Sequence, residues 1–480
     1  MKRWMAALLL ALPLIAQQTT PPAPAAPREA KLPQPVEMTL DNGLRVIVVP
    51  KHDLPLVAAR LMVKAGAAAD PRGREGLADL TATVLTLGTK TKSAEQIARG
   101  VEALGATLSA DASWDSTTVD LSVMSSNLNK AMEYVADVAR NATFPKDELE
   151  RERAQGIDAL QASLAQPRVL AAVVASRLTF GDAPYGANLE GTPKSLAKIE
   201  RDDLVKFHAA HFRPNNAVLV LAGDVKADAA FALAKSVFGT WVGPAAGRPS
   251  ARRPGGPGDS ATRVVVVDMP DAGQAAVIVG RRGIRRVDPA YLQAIVANSV
   301  LGAGYSSRLN QEIRIKRGLS YGAGSSFEPR AQVGPFTART ETKNESAAEV
   351  ASILVGEMKR LSTADVPEAE LTPRKAALIG DFAQSLETTS GIVNRVSALA
   401  RHDLPLSDIN RYISGVQSVT AEQVRKFAGT NLSGDSNIVI VGDASKFLEP
   451  LKQQFAEVEV IPSAELDIDS ATLRVRKEKK

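Results

Sequence analysis

Two periods of apolar residues alternate along this chain. Residues 37–40 and 44–49 read as strands around Asp41-Asn42-Gly43, a turn sequence that favours a hairpin. Residues 57–63 continue as a third apolar strand. The period then becomes helical over 77–87 and again over 94–104, with Ser93 placed as an N-cap and Gly105 as a C-cap. Residues 117–123 alternate like a half-buried strand, 127–141 read as a helix, and a long helix starts at Pro145. AVLVLAGDV (217–225) and NIVIVGDA (437–444) are apolar runs of strand length. Strands and helices are mixed within each half of the chain, so the class is α+β.

The pattern occurs twice. LVKFHAAHFRPNNAVLVLAGDV (204–225) aligns with VRKFAGTNLSGDSNIVIVGDA (424–444), pairing Phe207 with Phe427 and Gly223-Asp224 with Gly442-Asp443. Upstream, Phe144-Pro145 with Glu148-Leu149 matches Val366-Pro367 with Glu370-Leu371. Anchors at one near-constant offset indicate a unit of roughly 200 residues, duplicated and fused. The halves are expected at 36–241 and 263–465. Residues 242–262, rich in Gly, Pro and Arg, join them as a linker, and 466–480 form a polar tail.

Composition narrows the chemistry. The 480 residues are 45% hydrophobic and 23% charged, enough apolar material for more than one core. No cysteine is present, which excludes a disulfide framework, a thiolate metal site and a cysteine nucleophile. Four histidines make a multi-histidine metal site scarce. The formal charge of +5 comes from 58 basic against 53 acidic residues, and no arginine stripe with interleaved aromatics accompanies it, so nucleic acid is not an expected partner. Lys2-Arg3, an apolar run from Met5 to Ala16 and then Gln17-Gln18 have the layout of a cleavable secretory signal over 1–16. Residues 17–35 follow as a Pro/Ala-rich leader. The mature chain is expected to be periplasmic or secreted, without a membrane span.

LDNGLRVIVV (40–49), GREGLADLTATVLTLGT (73–89), FPKDELERER (144–153) and HFRPNNAVLVLAGDV (211–225) together resemble the M16 (insulinase/pitrilysin) peptidases, in their mitochondrial-processing-peptidase-like bacterial form. The resemblance spans about residues 36–455. It implies two homologous metallohydrolase-like α/β sandwich domains forming half of a clam shell, and zinc-dependent cleavage of an enclosed peptide.

The family's catalytic signature is His-x-x-Glu-His after Gly-Leu-Ala: two imidazoles four residues apart on one helical face, with a glutamate to activate water. Here Gly76-Leu77-Ala78 leads into Asp79 at the first ligand position, Ala82 at the base and Thr83 at the second ligand. The third ligand position falls on Ala159, beside Asp158. The chain is therefore expected to bind no zinc and to be inactive alone, with Asp79 read as a solvated or capping acid.

In its second half the family carries an arginine and a tyrosine seven residues apart, and SSRLNQEIRIKRGLSYGAGSSF (306–327) places Arg314 and Tyr321 there. A guanidinium and a phenol can donate hydrogen bonds to a scissile carbonyl and to the oxyanion formed from it. Pairing of Arg314 with Glu312 or Glu328, and simple packing of Tyr321, is the plainer alternative. Some bacterial members of the family divide zinc motif and Arg/Tyr pair between two subunits. The resemblance thus implies a heterodimer: this chain supplies Arg314 and Tyr321 in trans, and a partner with an intact His-x-x-Glu-His holds zinc and cleaves a peptide or unfolded polypeptide. A non-catalytic peptide-binding or scaffold protein of the same fold is the second reading, and an autonomous peptidase with a metal near Asp79 and Asp158 the third.

Four further features have bland expectations. His208 and His211 are read as surface residues at a helix end, and His52 and His402 as loop residues in matching HDLPL contexts. Gly302-Ala303-Gly304 is expected to give hinge-like freedom before Ser307-Arg308. The strand at 275–280 and the one from Val57 are candidate edges to which a peptide could add.

Overall fold

The computed structural model describes residues 34–243 and 262–475. The expected signal, most of the leader and most of the linker lie outside the described residues. The first half builds a six-stranded sheet from β1 (Val36–Thr39), β2 (Arg45–Pro50), β3 (Leu56–Val63), β4 (Thr107–Ala112), β5 (Thr117–Met124) and β6 (Ala217–Gly223), in the order β1-β2-β6-β3-β5-β4. The second builds another from β7 (Val264–Asp268), β8 (Ala275–Arg282), β9 (Ala323–Phe327), β10 (Pro335–Thr342), β11 (Asn437–Gly442) and β12 (Val458–Pro462), in the order β12-β7-β11-β8-β10-β9. β2 runs parallel to β6 as β7 does to β11, and β3 antiparallel to β6 as β8 does to β11. The duplication is thus repeated strand for strand, apart from the outermost position. There the first sheet uses the β1–β2 hairpin and the second uses the late strand β12.

The sequence anchors occupy equivalent places. Pro145 and Pro367 are the N-caps of helices Lys146–Leu164 and Glu368–Ser385, and Leu149 and Leu371 are buried one turn in. Ser93 caps helix Ala94–Ala103 reciprocally with Gln96, and Gly105 follows it with φ +60°.

Each sheet is covered on both faces, which is why its central strands are continuously apolar. In β6, Ala217, Leu219 and Leu221 face the helices of their own half. Val218, Val220 and Ala222 face Ile392, Val393 and Val396 of helix Thr389–Arg401, which belongs to the second half. The exchange is reciprocal. Val265 and Val267 of β7 pack with Leu170, Ala171 and Val174 of helix Pro167–Phe180, from the first half. The two halves share their cores, and neither sheet is closed without a helix from the other.

Two expectations change. β3 lies between β6 and β5, and β8 between β11 and β10, so neither is an edge. The edges are β1 and β4 in one sheet and β12 and β9 in the other. The expected polar tail is folded through Leu473. Leu466, Ile468 and Leu473 pack on the second sheet's outer core, the Arg177 guanidinium donates to the Ile468 carbonyl at 3.0 Å, and Thr192 donates to Asp469 at 3.0 Å. Among the described residues no helix is long and apolar enough to cross a membrane.

Candidate functional site

Helix Leu77–Leu85 carries the degenerate zinc-motif positions and packs on β4, helix Arg201–His211 and helix Lys146–Leu164. Gly76 enters it with φ +93°, and a Cβ there would lie 2.5 Å from the Glu190 carbonyl oxygen, so only glycine fits. The capping acid is Asp70, which sequence reasoning missed. Its carboxylate accepts from the Gly76 and Ala78 N–H groups at 2.9 Å each.

Asp79 is therefore neither a cap nor a freely solvated acid. Burial, and then the nearby carboxylates of Glu190 and Asp111, push its pKa up to about 6. Asp111 lies on β4, so the first ligand position faces the edge strand. The rest of the motif offers nothing a zinc ion could use. Ala82 is buried in the core, and the Thr83 hydroxyl donates to the Asp79 carbonyl at 3.1 Å within its own helix. Ala159 is exposed on helix Lys146–Leu164, with Asp158 exposed beside it. Among the described residues no three His, Cys, Asp or Glu side chains are grouped to hold a metal. The donor set does not fit the zinc that the fold family implies.

The Arg/Tyr segment is built differently. After the short helix Arg308–Asn310 the chain widens into one π-helical stretch, Gln311–Lys316, bearing Arg314. It ends at Gly318, φ +64°, where the Gly318 and Leu319 N–H groups donate to the carbonyls of Arg314 and Ile313. The following turn is tied to β10: Thr342 donates to the Leu319 carbonyl at 2.6 Å and Thr340 to the Gly322 carbonyl at 2.7 Å. Tyr321 sits on this anchored turn and is 89% exposed. Arg314 is exposed, and its guanidinium lies over the Tyr305 ring, 5.1 Å from the centroid. Glu312 pairs with Lys316 and Glu328 with Arg330, so neither takes the partner role that the plainer alternative gave it. Tyr321 does not pack away either. Both donors face solvent on a fixed backbone.

The glycine-rich turn is pinned, against the expectation of a hinge. A Cβ on Gly302 would lie 2.2 Å from the Ser325 nitrogen of β9. Arg374 donates to the Ala303 carbonyl at 3.1 Å and to the Ser306 hydroxyl at 2.6 Å, and Arg308 grips Glu370 through two bonds of 2.8 Å. That ion pair joins one repeat anchor, Glu370, to the Arg/Tyr segment.

Three of the four histidines also differ from expectation. His208 is half-buried between Phe144 and Phe212, with Nε2 2.9 Å from the Ala139 carbonyl, and loss of solvent lowers its pKa. His211 packs at a tilt against Phe207, and burial followed by the charge of Arg213 pushes its pKa down to about 4. The apolar face of helix Arg201–His211 turns both rings inward, which the short HxxH spacing did not reveal. His402 closes helix Thr389–Arg401, and burial pushes it to about 4 as well. His52 is the exposed loop residue expected, 2.8 Å from Asp224, which also accepts from Ser125.

Comparisons with known proteins agree with this architecture. Residues 45–192 match the family described as Insulinase (Peptidase family M16), and 198–378 match Peptidase M16 inactive domain. An uncharacterized zinc protease of Mycobacterium tuberculosis is 30% identical over 427 residues, covering 88% of this chain and 95% of its own. One from Bacillus subtilis is 23% identical over 407 residues, 84% and 97% of the two chains. Among solved structures, a peptidase M16 inactive domain from Pseudomonas fluorescens superposes with a TM-score of 0.79 at 28% identity, covering 85% of this chain and 98% of that one. A Helicobacter pylori protease, 21% identical with a TM-score of 0.80, covers 86% and 100% and shares the fold. With this identity sustained along nearly the full length of a relative, and the same two-sheet architecture, the chain belongs to the M16 peptidase family.

Proposed function

We propose that this protein is the non-zinc subunit of an exported, two-chain M16 peptidase. It supplies Arg314 and Tyr321, with part of the chamber wall, to a partner whose intact His-x-x-Glu-His holds zinc. The observation that carries the reading is the contrast between the two halves: the helix at the zinc-motif position has no ligand set, whereas Arg314 and Tyr321 stand exposed on an anchored turn. A guanidinium and a phenol held in this way can donate to a peptide carbonyl oxygen and stay with it as negative charge develops, a preorganised arrangement that needs no rearrangement during reaction. The partner contributes the metal and the attacking water. The substrate is a peptide or unfolded segment, for which the exposed edges β4 and β9 offer main-chain hydrogen bonds.

The test is complementation. A secreted M16 chain with the full zinc motif, encoded beside this one, is mixed with the wild-type protein and with Arg314→Ala or Tyr321→Phe, and cleavage of a quenched peptide is followed. Activity that needs the wild-type chain and falls with both variants supports the reading. Activity indifferent to this chain moves the protein to the second reading, a non-catalytic scaffold of M16 fold.

A further inference from the structure

The duplication extends to a pair of pockets. Asp70-Pro71 and Asp288-Pro289 occupy equivalent loops, and each carboxylate accepts from backbone N–H groups where the next helix begins. Asp70 accepts from Gly76 and Ala78, and Asp288 from Ala290 at 2.8 Å. The exchanged helices Pro167–Phe180 and Thr389–Arg401 each run into Asp-x-Pro, at Asp182-Ala183-Pro184 and Asp403-Leu404-Pro405. In each half a pocket lies between that loop and that helix.

The first pocket, about 140 Å³, takes a turn of the chain's own C-terminal segment. Asp469 forms part of its wall, and the Arg177 guanidinium donates to the Ile468 carbonyl at 3.0 Å. The second is larger, about 360 Å³, and every residue lining it lies between 286 and 412. It sits at the N-terminal end of helix Tyr291–Leu301, whose other end leads into the Arg/Tyr segment. Among the described residues, only the first pocket of the pair takes a segment from the other half.

The second pocket has an apolar, planar lining. Tyr412 stacks on Phe382 with ring centroids 4.3 Å apart, and Leu292, Leu399 and Leu404 complete the wall. The Arg286 guanidinium lies over Tyr291 at 3.7 Å and that of Arg395 over Phe382 at 5.2 Å. Charge does not select the occupant, because Asp288 and Asp408 offset the arginines and Asp408 pairs with Arg411 at 3.5 Å. A guanidinium stacked on a ring keeps its N–H groups in its own plane, open to neutral carbonyl acceptors. The Tyr291 and Tyr412 hydroxyls have no hydrogen-bond partner among the described residues, and burial pushes the Tyr412 phenol up to about 12, so it stays a neutral donor.

We propose that this pocket binds an aromatic side chain of a peptide, its ring against Tyr412 and Leu399, with Arg286 and Arg395 donating to backbone carbonyls of the segment that carries it. A polypeptide occupant follows from the first pocket, where the equivalent place holds a turn of chain by an arginine-to-carbonyl bond. The volume is at the small end for ligand pockets and admits one side chain with its flanking backbone. The site goes beyond the two-chain reading, since it needs neither the partner nor Arg314 and Tyr321.

The test measures binding to the isolated mature chain by calorimetry. An N-acetylated, C-amidated pentapeptide with a central tryptophan is compared with the same peptide carrying leucine or alanine there. The tryptophan peptide is expected to bind roughly tenfold or more tightly than the alanine one, with leucine between them, and added salt should change this little. Tyr412→Ala should remove the preference. Ala398→Trp, at an exposed lining position, should fill the pocket and abolish binding while leaving Tm unchanged, so it decides even if Tyr412→Ala does not fold. Equal affinity for the tryptophan and alanine peptides, binding unaffected by Ala398→Trp, or no binding by the folded wild-type chain would each overturn the assignment. Indole binding as tightly as the tryptophan peptide would also overturn it, as a pocket for free aromatic molecules. Failure of complementation with this binding intact would remove the two-chain peptidase and leave the pocket standing.

Discussion

The Arg314 guanidinium lies over the ring of Tyr305, its centre 5.1 Å from the ring centroid, and this contact holds a cation that has no ion pair among the described residues. Arg314→Ala and Tyr321→Phe are each expected to lower kcat of the reconstituted pair by roughly 10²–10³-fold, the usual effect of losing one oxyanion donor. Tyr305→Leu removes only the cation–π contact, about 0.5–1 kcal/mol at an exposed site, so its effect should be roughly two- to fivefold. Steady-state rates with one peptide separate the two classes. A Tyr305→Leu loss as large as that of Arg314→Ala would make Tyr305 more than a support.

Asp79 should oppose folding at neutral pH. Its folded pKa, about 6, lies above its unfolded value, so its contribution is favourable at low pH and is lost as pH rises from about 4 through 6. Asp79→Asn is expected to raise stability at pH 7.5 by roughly 1–2 kcal/mol, a discounted figure for a partly screened group, with the gain gone below pH 4. Chemical denaturation at both pH values measures it. A variant less stable than wild type at pH 7.5 would mean that the carboxylate has a stabilising partner.

His211 and His402 titrate with the opposite sense. Both are neutral in the folded state with pKa values near 4, below the unfolded range, so they favour folding above about pH 6.5 and cost stability as pH falls towards 4. Replacing either with glutamine should flatten the fall in Tm between pH 6.5 and 4. An unchanged slope in both variants would show that the rings are hydrated in solution.

The exchanged helices make the halves one folding unit. Ile392 is fully buried beneath the first sheet although it belongs to the second half. Ile392→Ala should cost about 2–5 kcal/mol. Calorimetry should show one unfolding transition, shifted as a whole, and residues 34–243 expressed alone should aggregate or fail to fold. Two separate transitions, with only one of them moved by Ile392→Ala, would contradict the shared core.

Much of this architecture is legible in the sequence, and the omissions have physical causes. The repeat anchors Pro145 and Pro367 begin equivalent helices because proline suits a helix start and leucine follows one turn in. β4 escaped detection because TLSADA, an edge strand, buries too little apolar surface to stand out. Apolar periodicity shows that helix Thr389–Arg401 has a buried face, but not that the face covers the other half's sheet. The same limit assigned β3 and β8 to edges. At the site, the substitutions at Asp79, Ala82, Thr83 and Ala159 were visible residue by residue. The raised pKa of Asp79 and the anchoring of Tyr321 depend on Glu190, Thr340 and Thr342, which are distant in sequence.

The central claim is that this chain lacks a zinc centre and acts through Arg314 and Tyr321 in a partner's active site. Metal content and peptide cleavage, measured on one preparation of the mature protein with and without the zinc-motif partner, test it most directly. The account predicts no bound zinc and no cleavage alone, and cleavage once the partner is added. Stoichiometric zinc together with cleavage by the isolated chain would contradict it.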